Sequence, residues 1–157
     1  MPRWLVNALM LVIVVLVPPL LLFSNLYILL TPQYLAFEYD KPDFPKSVRF
    51  SESDRRYYAT ESVEYERGNR NFEQFLALGV YNERELNHMV DVRVYFGEIG
   101  VFEPLGVLLL LLALAVLGTR QETRALAARA LLSGALLTLA VFVLVGLFAA
   151  TATRLRR

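Results

Sequence analysis

Three long runs of apolar residues limit what this 157-residue chain can fold into. Residues 4–30, 101–118 and 130–150 hold a single charged side chain between them, Glu103. As a helix the first run would rise roughly 40 Å, more than the roughly 30 Å of a bilayer's hydrocarbon core. A bilayer core offers no water to backbone amides, so such runs cross it as helices that satisfy their own hydrogen bonds. The whole chain is 56% hydrophobic with a mean hydropathy of +0.45, above what a soluble domain of this size carries. The expected fold class is a mainly α membrane protein. It has three transmembrane helices and a small, mostly helical extracytoplasmic domain between the first and second.

The charges fall where that architecture needs them. Between Pro32 and Gly100 there are thirteen acids and nine basic residues, a net charge of −4, so the overall +1 conceals a strongly polar segment. No basic patch interleaved with aromatic residues is present, which argues against a nucleic-acid partner. Cysteine is absent, which removes disulfides, zinc ribbons and thiolate nucleophiles. A single histidine with scattered carboxylates makes a poor zinc site, so no metal and no cofactor is expected.

The first span, 4–30, has Pro18 and Pro19 near its middle, which predicts a kink, and Ser24 and Asn25 follow. Those two side chains either re-satisfy freed carbonyls or face a polar cavity. Arg3 resembles the basic start of a signal peptide. The apolar stretch is too long for one, however, and no small-residue cleavage site follows it. The second span, 101–118, is expected to open with Pro104 in its first turn. A loop, 119–129, carries Arg120, Arg124 and Arg129 and reads as a tight hairpin. The third span, 130–150, contains Ser133, Gly134, Ala140 and Gly146, small residues that permit close helix packing.

Arg3 and the loop arginines place the N-terminus and the hairpin in the cytoplasm, and Glu38, Asp40 and Asp43 place 31–100 outside. That topology leaves Arg154, Arg156 and Arg157, in the basic tail 151–157, on the outer face. Such a tail implies a further span beyond it.

Within 31–100, Thr31 to Pro45 is expected to be irregular and Ser47 to Phe50 to form a short strand. A helix from Ser53 should stop near Gly68, and another from Asn71 should close at Gly79. The tyrosines and phenylalanines suit core and interfacial anchors better than ligands. Asn82 and Glu85 have the spacing of a capping box, which starts a third outer helix carrying His88, the chain's one histidine. Glu85, His88 and Asp91 are three residues apart and fall along one edge of that helix. A carboxylate beside an imidazole fixes its tautomer and raises its basicity. The spacing alone is equally that of a surface histidine with acidic neighbours, Glu85 being a cap.

The stretch ELNHMVDVR, Glu85 to Arg93 with its neighbours as they stand, resembles the HMxDV signature of the bacterial lipoprotein intramolecular transacylases, small polytopic membrane proteins. The likeness extends along essentially the whole chain. A long first helix, an outer segment of this length, the histidine motif before the second span and a short basic hairpin are similar in order and spacing. The resemblance implies location in the bacterial plasma membrane and a lipoprotein as substrate, with membrane lipid around it. It also implies transfer of an acyl chain from the diacylglyceryl group of the N-terminal cysteine to that cysteine's α-amino group, giving the lyso form. The attacking amine has a reference pKa of about 7.7 to 8.0, so a base must take its proton. On this reading His88 is the base and Asp91 orients it. Glu85 stands beside it, and Arg93 or a backbone amide assists the oxyanion. Arg93 is equally suited to reach lipid headgroups. Ser24 and Asn25 would line one wall of the substrate site. The family pattern continues into a fourth span with a second histidine, whereas the sequence to Arg157 contains His88 alone. The alternative is a non-catalytic membrane protein that binds lipid or a partner subunit through its acidic segment.

Overall fold

A computed structural model of the chain describes residues 1–154, and among these it is helical, with no strand. In chain order the helices are α1 (Arg3–Leu29), α2 (Pro32–Tyr39), α3 (Glu52–Glu66), α4 (Phe72–Leu76), α5 (Glu83–Gly118) and α6 (Gln121–Arg154). Three of them, α1, α5 and α6, are long and apolar enough to cross a membrane. Arg156 and Arg157 of the expected basic tail lie outside the described residues.

The structure corrects several boundaries. Residues 32–39 are helical because Thr31 caps the turn, its hydroxyl accepting from Tyr34 N at 3.1 Å, while Pro32 occupies the first helical position where no N–H is needed. Residues 47–50 form a turn and no strand, since Ser47 Oγ accepts from the amides of both Arg49 and Phe50 at 3.1 Å. The second span has no beginning of its own at Val101. Nothing between Asn82 and Gly118 stops a helix, so α5 runs unbroken through Pro104 for 36 residues. The hairpin loop is likewise shorter than 119–129, because α6 starts at Gln121 and takes Arg124 and Arg129 into its first turns. Thr123 helps close this turn, its Oγ donating to Leu117 O at 2.5 Å.

The chain packs as two compact units, to both of which α1 and α5 contribute. One comprises Met1–Phe23 and the described residues from Glu103 onward. Its core is thin and made of small contacts: Val6, Ile13 and Val17 of α1, Ala113 and Leu117 of α5, and Ala127 and Ala130 of α6. Leu108, Leu111, Leu132 and Leu144 point outward, the pattern of helices whose solvent is lipid. Gly134 allows the closest approach. A Cβ there would stand 2.7 Å from Cβ of Val17, whereas Gly146 faces open space. Thr138, one turn further along, is buried and satisfies its hydroxyl on Gly134 O at 2.8 Å.

The second unit, Ser24–Phe102, is organised around aromatic rings. Tyr65 and Phe75 are each 1% exposed and stack at 4.4 Å between centroids, and Tyr81 continues the stack at 5.0 Å from Phe75. Ser62 and Tyr81 share a hydroxyl hydrogen bond of 2.6 Å. The helices end as expected, with Gly68 at φ 84° and Gly79 at φ 66°, conformations glycine adopts without a Cβ penalty. Replacing Gly134 with Leu should separate α6 from α1 and lower stability by about 1–3 kcal/mol, whereas Gly146→Leu should be nearly neutral. Thermal unfolding of the purified variants in one detergent checks both.

Candidate functional site

His88 is held one and a half turns into α5, on a helix start that is fully built. Asn82 Oδ1 accepts from Glu85 N at 3.0 Å and Glu85 Oε2 accepts from Asn82 N at 2.8 Å, the reciprocal capping box that the spacing announced. His88 shares an open pocket with Asn82, Arg84 and Glu85. Its imidazole is exposed, as is Asp91, and among the described residues no hydrogen bond or ion pair joins the two. On a helix that turns about 100° per residue, Arg84, Glu85 and Asp91 all lie within about 60° of His88. Arg84 is the member of this group that the motif did not single out. It stands four residues before His88, a spacing that puts two side chains on one face.

Arg93 belongs elsewhere. Five residues after His88, it is turned about 140° away on the helix. Its guanidinium lies over the ring of Tyr65, 4.6 Å from the centroid, and donates to Arg70 O. There it lines a cleft of about 450 Å³ with Tyr27, Glu66, Arg67, Phe96, Gly97 and Gly100. Tyr27 donates to Phe96 O at 3.3 Å and packs on its ring at 5.1 Å. Arg67 Nη1 donates to Leu30 O at 2.8 Å and to Tyr27 O at 3.3 Å, which caps the carbonyl end of α1. Ser24 and Asn25 lie on α1 just before Tyr27, the first half-buried and the second exposed.

Glu66 is the titratable group of this cleft that sequence reasoning missed. No hydrogen bond or ion pair among the described residues engages its carboxyl, and burial alone pushes its pKa from 4.5 up to about 7. Nothing local in the sequence marks it. Glu66 is the last residue of α3, and its surroundings come from α1 and α5, tens of residues away.

Because the folded chain favours the neutral acid, the contribution of Glu66 to stability is present below about pH 4.5 and is lost as the pH climbs through about 7. Glu66→Gln should therefore be more stable than the parent at about pH 8, by on the order of 1 kcal/mol after allowance for the water that reaches the carboxyl, and no different at about pH 4. Apparent melting temperatures across that range decide it.

With this geometry in place, comparison with known proteins identifies a family. The family described as lipoprotein intramolecular transacylase Lit matches residues 7–152, nearly the full chain, from within α1 to within α6. Neither a curated protein nor a solved structure matches.

Proposed function

The chain belongs to the lipoprotein intramolecular transacylase family, and from that premise we propose that it moves an acyl chain within a bacterial lipoprotein. The chain leaves the diacylglyceryl ester on the N-terminal cysteine and is joined to that residue's α-amino group, which produces the lyso form. His88 is the general base. The observation that carries this assignment is its position: an exposed imidazole on a capped helix start, thirteen residues before the apolar part of α5 begins at Val101. A group so placed stands roughly 20 Å along the helix from the apolar run, so the acylated cysteine of the substrate rises out of the headgroup layer to meet it.

In the proposed step, the imidazole takes a proton from the α-amine as its nitrogen attacks the ester carbonyl. The tetrahedral intermediate collapses with cleavage of the carbon–oxygen bond to glycerol. The imidazolium then returns the proton to the leaving alkoxide, so the base is regenerated and no water is consumed. No protein nucleophile is required, because donor and acceptor belong to one molecule and proximity supplies much of the acceleration. Asp91 orients the imidazolium, and Glu85 flanks it. For the oxyanion, Arg84 is better situated than Arg93, since it shares the histidine's pocket. The 31–100 segment faces outward from the plasma membrane and the N-terminus lies in the cytoplasm, an orientation supported by the arginines of 119–129.

Mass spectrometry of lipoprotein N-terminal peptides, from a bacterium that makes only the diacyl form and expresses this chain, tests the proposal. N-acylated lyso peptide should appear with the native sequence. His88→Ala should reduce it about 10²-fold or more at equal membrane insertion, and Asp91→Asn by about tenfold. Unchanged lyso product in His88→Ala would remove His88 from the chemistry. Absence of product from the native chain would favour the lipid- or partner-binding alternative.

A further inference from the structure

We propose that the cleft between Tyr27, Glu66, Arg67 and Arg93 is a binding site for the phosphodiester headgroup of an anionic phospholipid, separate from the His88 face. The charge balance of the cleft is the first reason. The polar segment as a whole carries −4, yet this cleft is lined by two guanidiniums and one carboxyl. The neighbouring acids are occupied: Glu61 holds Arg70 at 2.7 Å, and Glu64 accepts from Asn69 at 2.7 Å. Each guanidinium uses Nη1 on a backbone carbonyl, which fixes its position and leaves other N–H donors for a ligand. Arginines anchored this way suit phosphate oxygens, which accept from more than one N–H at once.

The location of the cleft is the second reason. Tyr27 stands in the last turn of α1, and Phe96, Gly97 and Gly100 stand immediately before the apolar run that starts at Val101. Both helices change from apolar to polar surroundings here, the level at which headgroups and the aromatic residues of membrane proteins lie. Gly97 opens the floor of the cleft, since no atom lies within 4 Å of where its Cβ would stand.

Glu66 makes the site responsive to pH. The charged and titratable groups around it are Tyr27 of α1, Arg67 next to it, Arg93 of α5, and Tyr81, whose phenol is raised chiefly by burial and in part by the charge of Glu66. Below about pH 7 its carboxyl is protonated and donates to a phosphate oxygen; above that it is an anion facing another anion.

The test uses the full chain in a mild detergent, offered equal amounts of phosphatidylglycerol and phosphatidylcholine and read by native mass spectrometry. At about pH 6 phosphatidylglycerol should be retained roughly tenfold over phosphatidylcholine, and at about pH 8 most of that preference should vanish. Glu66→Gln should keep the preference at both values. Gly97→Asp adds a carboxylate in open space, so it should abolish the preference while phosphatidylcholine retention, the control for an intact fold, stays the same. Equal retention of the two lipids by the native chain would overturn the proposal, as would a preference that survives Gly97→Asp. Displacement of the lipid by inorganic phosphate as readily as by phosphatidylglycerol would also overturn it, because the site would then serve free phosphate.

Discussion

The Asn82–Glu85 capping box fixes the polar start of α5, and the register of that helix determines which way each of its side chains faces. A helix start leaves four amides without partners, and here two of them are satisfied by a pair of side chains that also hold the first turn in place. From that point the backbone hydrogen bonds continue for 36 residues, roughly 54 Å, so the helix that crosses the apolar region is the one that carries His88. The angular positions of His88 and Arg93 are therefore set by helix geometry, and the two residues of one short motif look in different directions.

That division gives the helix two working faces. One carries Arg84, His88 and Asp91, all exposed, with Glu85 half-buried among them, and is the face on which the proposed proton transfer would take place. The other carries Val90, Arg93, Val94 and Gly97, which line an open pocket with Tyr65 and Phe72. The aromatic stack of Tyr65 and Phe75 sets the height of the Arg67–Arg93 cleft, because Arg93 rests on Tyr65 while Arg67 caps α1. A carboxyl such as Glu66, half-buried beside these arginines and without an ion pair among the described residues, is costly for the fold above neutral pH.

Much of the architecture was legible in the sequence because apolar length and helix caps are local signals. The three spans, the stops at Gly68 and Gly79, and the box at Asn82 and Glu85 all follow from residues within a turn of each other. Two kinds of feature were not legible. Where a cap can be read either way, as at Thr31-Pro32 and Ser47, the outcome depended on which amide the hydroxyl reached. The continuity of α5 was obscured by Pro104, whose usual place in a first turn suggested a boundary that the helix does not have. The Glu66 cleft was out of reach altogether, since Tyr27, Glu66 and Arg93 meet only through packing. The histidine motif was plain in the sequence, whereas the contacts that hold Arg93 apart from it, on Tyr65 and on Arg70 O, come from packing.

The most direct test of the two-face account is site-specific photocrosslinking to a lipoprotein substrate in membranes. A photoreactive side chain at Tyr95, aligned with His88 to within about 20°, is compared with one at Val90, about 200° away. Both positions are exposed. The account predicts lipoprotein adducts from position 95 and few or none from position 90. Adducts confined to position 90 would contradict it, because the substrate would then approach the arginine face and leave His88 on the far side of the helix.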